Sequence, residues 1–166
     1  MTETNNQPRI HVEPSLEQEW PGASALATAC VLNLAWLLDR MDAYSTTLAQ
    51  EHGIPSIPAF NVLAILRGAG QPLSPTTIAQ RMVITRATMT GILHSLERRE
   101  LIQRVSNPED RRQRLVEITP EGLRRVERFL PQLHQAEKRL MNRLSETEQQ
   151  SLLHTVAVLQ GHSFGD

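Results

Sequence analysis

The stretch that decides the fold is residues 73–122, with the sequence LSPTTIAQRMVITRATMTGILHSLERRELIQRVSNPEDRRQRLVEITPEG. It opens with Ser74, a good helix cap, and Pro75, whose missing N–H would be unpaired at a first helical position anyway. A short helix is therefore predicted over 75–82. After a tight turn, Thr85–Arg99 is predicted as a second helix. Two helices joined in this way indicate a helix-turn-helix.

A β-hairpin is predicted immediately after these helices. Two short runs have β-strand character, Leu101–Val105 and Arg114–Ile118, and the polar residues 106–113 between them favour a turn. Thr119 and Pro120 then repeat the pattern of a cap followed by proline, which predicts the start of the next helix. A helix-turn-helix followed by a hairpin is a winged helix.

Long apolar helices are predicted on both sides of the winged helix. Apolar residues from Leu26 to Leu48 recur every three or four positions, and others widen this face nearly all round. Leucines from Leu123 to Leu144 fit a heptad register, and 145–148 is a capping box that opens a last helix. A helix apolar on most sides must be buried on most sides, which predicts a partner subunit.

The predicted fold class is therefore mainly α. A winged helix-turn-helix lobe of three helices plus a β-hairpin wing is flanked by long N- and C-terminal helices that form a dimerisation domain. Residues 1–21 are expected to be a loose N-terminal arm, and 55–119 the DNA-binding lobe. Residues 22–54 and 120–166 are expected to form the helical dimerisation region.

Composition and motifs exclude several classes of protein. No phosphate loop, dinucleotide fingerprint or nucleophile elbow is present, and the histidines show no metal-ligand spacing, so we expect no enzyme, metal or cofactor. The apolar part of the charge-free segment 20–38 is shorter than the roughly 20 residues of a membrane span, so we expect no membrane partner. The single cysteine, Cys30, allows no intrachain disulfide, which fits a cytoplasmic protein.

Charge is distributed unevenly along the chain. The formal net charge is −1, which taken alone argues against a polycationic binder of nucleic acid. Residues 81–114, however, contain 8 basic and 4 acidic side chains, and this segment spans the second helix of the helix-turn-helix and the hairpin. Nearly all of the basic residues are arginine, which suits phosphate and base edges, although a GC-rich genome gives the same bias.

The second helix of the helix-turn-helix begins with three threonines and an arginine, and carries no carboxylate before Glu97. First turns usually favour acidic residues, so a start without them is suited to an anion. In a helix-turn-helix these residues enter the major groove. Arg86 can bind a guanine, and Thr88 and Thr90 can reach a phosphate, a base edge or a thymine methyl. The alternative is a solvated polar face.

The hairpin loop carries the run Asp110-Arg111-Arg112, which places two guanidiniums at an exposed tip. A minor groove attracts inserted arginine through its negative potential. Asp110 is close enough to pair with one arginine and hold the tip rigid. The alternative is a charged turn that only maintains solubility.

Residues 73–123 resemble the MarR (multiple-antibiotic-resistance regulator) family of winged-helix repressors. The motifs that carry the resemblance are Leu-Glu-Arg-Arg-x-Leu-Ile, Asn-Pro-Glu-Asp-Arg-Arg and Ile-Thr-Pro-Glu-Gly, and the helix order extends it to about 22–160. The resemblance implies a homodimer whose two lobes bind adjacent major grooves of a pseudo-palindrome. It also implies that Arg112 enters the minor groove with Asp110 as its brace.

The chain departs from the family pattern at two positions. Glu100 stands where the family usually has glycine, between the recognition helix and the wing. Glycine suits a left-handed helix end and glutamate does not, so we expect a strained or differently shaped junction. Gly91 stands where many relatives carry a larger polar or basic residue, which is expected to change which bases are recognised.

The expected function is that of a homodimeric, sequence-specific regulator of transcription that binds double-stranded DNA, a repressor released by a small-molecule ligand. The recognition helix Thr85–Arg99 would lie in the major groove and the wing 104–114 in the minor groove. The predicted DNA-binding residues are Ser74, Thr76, Thr85, Arg86, Thr88, Thr90, Gly91, His94, Ser95, Arg104, Asp110, Arg111, Arg112 and Arg114.

By the resemblance, a small anionic aromatic ligand would bind between the dimer helices and the lobe. The candidate lining residues are Trp36, Arg40, Tyr44, Phe60 and Arg67; the alternative is that the aromatics belong to the core and the arginines to the surface.

Two other functions stay open. One is a winged-helix protein-interaction module without specific DNA binding, and the other is a thiol-based redox-sensing regulator that acts through Cys30. A sensor thiol must be exposed and acidic. Because Cys30 lies in an apolar run, we expect a buried structural thiol instead.

Overall fold

The computed structural model describes residues 7–82, 84–108, 110 and 112–161, with Arg86 described by its backbone alone. In chain order, the elements are α1 (Leu16–Glu19), α2 (Ala25–Glu51), α3 (Ile57–Ala69), α4 (Pro75–Met82), α5 (Arg86–Arg98), β1 (Ile102–Ser106), β2 (Arg114–Ile118), α6 (Pro120–Met141) and α7 (Glu146–Gln160). The strands form a two-stranded antiparallel sheet. The predicted fold class, mainly α with a β-hairpin wing, is confirmed.

Side-chain caps begin α5 and α7 where the sequence predicts them. The Thr85 hydroxyl accepts a hydrogen bond from the Thr88 backbone N–H at the start of α5, over 3.2 Å. The Ser145 and Glu148 side chains form the expected capping box at the start of α7. Because each cap pairs a helix N–H that lacks an intrahelical partner, it fixes the residue where the helix begins.

The core of the described chain lies in the winged lobe and the helix ends that adjoin it. Its buried apolar residues fall between Leu48 and Phe129. The rings of Phe60 in α3 and Phe129 in α6 meet edge to face with centroids 4.6 Å apart. The wing joins this core through Val116, which is fully buried and forms an isolated antiparallel bridge with Leu73. The base of the hairpin is therefore held against the helix-turn-helix.

The long helices outside the lobe expose their apolar side chains in the single chain. Only Leu48 and Ala49, at the C-terminal end of α2, are buried among the residues of that helix, and α7 has no buried residue. Cys30 is exposed as well. The expectation of a buried thiol is therefore wrong for the single chain, because the N-terminal part of α2 lies outside the core.

The described part of the N-terminal arm is attached to α2, although the sequence predicts a loose arm. The Asn33 amide in α2 forms two hydrogen bonds with the backbone of Ile10: its Nδ2 donates to the Ile10 carbonyl over 2.8 Å, and its Oδ1 accepts from the Ile10 N–H over 2.9 Å. One side chain thus satisfies both polar backbone groups of an arm residue.

Glu100 takes the left-handed conformation that the family usually gives to glycine, with φ 57°. The backbone N–H groups of Glu100 and Leu101 donate to the carbonyls of Glu97 and Leu96, over 2.9 and 3.0 Å. These two bonds form the Schellman motif that ends α5. The predicted first strand begins one residue late, at Ile102, because Leu101 completes this cap. The expected strain at Glu100 is therefore present, because this residue has a positive φ. The shape of the junction is nevertheless that of an ordinary Schellman motif.

Candidate nucleic-acid interface

Helix α5 has one face in the core and another facing solvent. Met89, Leu93 and Leu96 are almost completely buried and fix the helix on the lobe. Of the predicted DNA-binding residues on α5, four are exposed and described, namely Thr88, Thr90, Gly91 and His94, while Ser95 is half-buried. The side chain of Arg86 lies outside the described residues. The structure thus places these positions along the outward side of one rigid helix.

The threonine hydroxyls at the start of α5 are tied to each other. The Oγ1 atoms of Thr85 and Thr88 lie 2.9 Å apart, and either can be the donor. Whichever hydroxyl accepts keeps its own proton for another acceptor, so the pair can still donate one hydrogen bond outward. A phosphate oxygen at this helix start would also meet the positive end of the helix dipole.

Ser74 and Thr76 lie at the start of α4. The Ser74 hydroxyl accepts from the Thr77 N–H over 3.1 Å and lies 2.8 Å from the Thr77 hydroxyl. Ser74 is therefore a helix cap in this structure. Thr76 is exposed.

The wing has Arg104 and Arg114 on the same face. The strand register pairs Arg104 with Val116 and Ser106 with Arg114, so both arginines share the face that carries buried Val116. The Arg114 Nη1 donates to the Ser106 hydroxyl across the hairpin, over 3.0 Å. This cross-strand hydrogen bond holds the Arg114 guanidinium near the loop end of the wing.

Arg104 forms an ion pair that the sequence does not predict. Its Nε lies 3.2 Å from Oε2 of Glu97, so the pair connects β1 to the last turn of α5. The two side chains are 38% and 39% exposed. Glu97 lies on a helix and Arg104 on the following strand, so neither a helical nor a strand period could predict that they meet.

Asp110 braces the tip of the wing through the backbone. Its Oδ1 accepts a hydrogen bond from the backbone N–H of Arg112 over 3.0 Å, and its carbonyl accepts from the Gln113 N–H over 3.0 Å. The sequence predicts a pairing with a guanidinium, but the described contact is with the Arg112 main chain. The Arg112 side chain is exposed. Arg111 lies outside the described residues.

The five candidate ligand-lining residues are not brought into one cavity. Phe60 belongs to the core, because it packs on Phe129. Trp36 is 40% exposed on α2, with the guanidiniums of Arg40 and Arg9 each 5.9 Å from its ring centroid. The remaining two lie apart from that group: Arg67 lines a small cavity between α3 and β2, and Tyr44 is exposed. Within one chain these residues are therefore not grouped, and a pocket between the dimer helices and the lobe stays a prediction.

Neither a metal site nor a membrane-spanning helix is found in the part of the chain that the structure describes. No group of histidine, cysteine or acidic side chains there has the arrangement of a metal site. None of the helices there combines the length and apolarity that a membrane crossing requires.

Comparison with known proteins agrees with the helix-turn-helix and wing that the structure shows. Residues 56–113 match the sequence model of the MarR family. The chain is 42% identical over 73 residues to the HTH-type transcriptional repressor YetL of Bacillus subtilis, covering 43% of this chain and 44% of that protein. It is 32% identical over 95 residues to the HTH-type transcriptional repressor NicR of Pseudomonas putida, covering 57% of this chain and 60% of NicR. The chain thus spans about half the length of these curated relatives.

Solved structures extend the likeness beyond the lobe. The crystal structure of the PcaV transcriptional regulator from Streptomyces coelicolor, in complex with its natural ligand, superimposes with a TM-score of 0.66 at 26% identity. The match covers 84% of this chain and 97% of PcaV.

The chain falls in the class of winged helix-turn-helix proteins, because α4 and α5 form the helix-turn-helix and β1 and β2 form the wing. The resemblance found in the sequence is confirmed, since residues 56–113 match the MarR family model and the similar proteins are named as transcriptional repressors of the helix-turn-helix type. The relatives are named as transcriptional repressors, which agrees with the expectation that the chain is not an enzyme.

Proposed function

We propose that this chain is a cytoplasmic, homodimeric, sequence-specific regulator of transcription that binds a pseudo-palindromic site in double-stranded DNA. It acts as a repressor, and a small anionic aromatic ligand releases it. In each protomer α5 lies in the major groove, and the wing tip with Arg112 lies in the minor groove.

The observation that carries the proposal is that one lobe presents two elements, α5 and the wing, each of which fits a groove of DNA. Helix α5 has an outward polar face without an acidic first turn. The wing ends at exposed Arg112, whose backbone is held by Asp110. A protein-interaction module would need neither feature, because both are suited to phosphates and grooves.

The homodimer is supported by the position of the exposed apolar side chains. Among the described residues, the large exposed ones lie in 20–44 and 152–159, which are Trp20 with parts of α2 and α7. Exposed apolar side chains on this scale mark an interface. A second copy is the occupant that we propose, since it would cover both helices and present two lobes to adjacent grooves of one site.

Release by a ligand is supported by two observations. PcaV, a structural relative, was solved with its natural ligand. In this chain, the guanidiniums of Arg40 and Arg9 each lie 5.9 Å from the Trp36 ring, which combines an aromatic surface with positive charge. That combination suits an aromatic anion.

The experiment is selection of bound fragments from the protein's own genome, followed by titration of the recovered site and of a scrambled duplex over a salt series. We expect a recovered site with two half-sites one helical turn apart, bound at least about 10³-fold more tightly than the scrambled duplex. Equal affinity for the two duplexes at every salt concentration would contradict sequence-specific binding and favour a protein-interaction module.

A further inference from the structure

The ion pair between Glu97 and Arg104 lies between the two elements that approach DNA. Glu97 is in the last turn of α5 and Arg104 is in β1, and the carboxylate oxygen is 3.2 Å from the guanidinium Nε. Glu97 is also the first carboxylate after the start of α5. An acidic side chain on a helix that meets DNA repels phosphates unless its charge is matched, and Arg104 matches it here.

The pair is too exposed to be explained by stability alone. Both side chains are more than a third exposed, and an ion pair in that setting contributes little to the free energy of unfolding. The ion pair has a larger effect on the binding of a polyanion such as DNA than on the free energy of unfolding. An unpaired arginine at the base of the wing would neutralise a phosphate and release a counterion on any sequence, whereas a paired one adds no net charge.

We propose that Glu97 is a specificity-determining residue that withholds Arg104 from the DNA backbone. This inference rests on the proposed function. Phosphate contacts raise the affinity for every sequence equally, so suppressing one of them lowers non-specific binding and leaves discrimination to the residues that reach the bases. Glu97 thereby limits the non-specific affinity for DNA that the positive charge of residues 81–114 would otherwise give.

The test is the salt dependence of binding to a duplex without the operator, for the parent and for Glu97→Gln. Glutamine keeps the shape of the side chain but frees the Arg104 charge. We expect tighter non-specific binding at low salt and a slope of log K against log salt that steepens by about 0.9 per bound protomer. Between 50 and 200 mM salt, that is roughly a 3-fold larger loss of affinity per protomer than in the parent.

Two controls separate this role from a general effect of charge. The substitution Glu97→Gln made in an Arg104→Gln background is expected to leave the slope of that background unchanged. Glu100→Gln removes an exposed acid three residues further on, outside the ion pairs of the described chain, and is expected to leave the parent slope unchanged.

The outcomes also separate the two proposals. An unchanged slope in Glu97→Gln, or an equal steepening in either control, would overturn the role of Glu97 while the parent still bound its operator. A parent that bound no duplex DNA would instead refute the proposed function, and this inference with it. Matching circular dichroism spectra and unfolding midpoints exclude a folding defect in each variant.

Discussion

The Nη1 atom of Arg125 donates a hydrogen bond of 2.7 Å to the carbonyl oxygen of Gly53, which lies 72 residues earlier in the chain. The Nε of the same guanidinium donates to Oε1 of Glu121, also over 2.7 Å. Gly53 follows the end of α2 with φ 70°, and Arg125 lies in the first turns of α6. This contact therefore fixes the end of one long helix to the beginning of another at the edge of the lobe.

Gly53→Ala is expected to destabilise the protein through two separate effects. The left-handed backbone costs a residue with a Cβ about 1–2 kcal/mol. A Cβ at this position would also overlap the Arg125 guanidinium, which must then move and lose its bond to the Gly53 carbonyl. We expect a total loss of about 2–4 kcal/mol in the free energy of unfolding, measured by urea denaturation.

Gly70→Ala is the matched control for that substitution. Gly70 has a similar φ of 63°, but a Cβ there meets no atom within 4 Å, so only the backbone cost applies. The difference between the two variants measures the Arg125 contact. It should shrink when both are made in an Arg125→Ala background, and a difference that persists there would contradict the role of Arg125.

The stability of the protein should fall in acid partly through Glu121. Hydrogen bonds from Arg125 and Arg124 hold the pKa of the Glu121 carboxyl below its ordinary value. A lowered folded-state pKa contributes stability that is present above the unfolded pKa, about 4.3 for glutamate, and is lost as the pH falls through the folded value. Glu121→Gln should therefore flatten the decline of the unfolding midpoint below about pH 4.5. An identical acid profile in parent and variant would refute this.

The sequence predicts the helix starts well, because their signals are local. Ser74, Thr85, Thr119 and Ser145 each precede a helix as the predicted cap, and each accepts a hydrogen bond from a first-turn N–H. A cap and its partner lie three residues apart, so a short stretch of sequence contains the whole interaction.

The contacts that shape the candidate site join distant residues and could not be predicted in this way. The bonds of Arg104 to Glu97 and of Arg125 to Gly53 depend on how helices and strands pack. The place of Phe60 could not be predicted for the same reason: periodicity places it on an apolar face but does not say that Phe129 covers it.

Glu100→Gly is expected to stabilise the protein by about 1 kcal/mol, because glycine takes a positive φ without the steric cost of a Cβ. The hydroxyl of Thr119 donates to the Glu100 carbonyl over 2.7 Å, which holds the junction in place in either variant. Glu100→Ala removes the same charge but keeps the Cβ, so it should leave the unfolding midpoint close to that of the parent. Equal stabilisation by both substitutions would attribute the gain to charge.

Arg112→Ala and Arg86→Ala are expected to weaken DNA binding in different ways under the proposed function. Loss of Arg112 at the wing tip should weaken binding to all sequences and reduce the salt slope by about 1. Loss of Arg86 at the start of α5 should cost about 1–3 kcal/mol on the operator and relax base preference at one position of each half-site. Anisotropy titrations with single-base operator variants measure both, and parent-like binding by both variants would refute these site assignments.

Leu153→Glu should convert the proposed dimer to monomers. Leu153 is 70% exposed on α7 in the single chain, near Val156 on the apolar side of that helix. If a second copy covers this surface, an unpaired carboxylate there loses its hydration without a partner, which strongly disfavours association. Light scattering at micromolar concentration should give twice the chain mass for the parent and one chain mass for the variant. Gln150→Glu adds the same charge to the same helix, on the side opposite Leu152, Val156 and Leu159, and should leave the dimer intact. A monomeric parent would contradict the proposed homodimer.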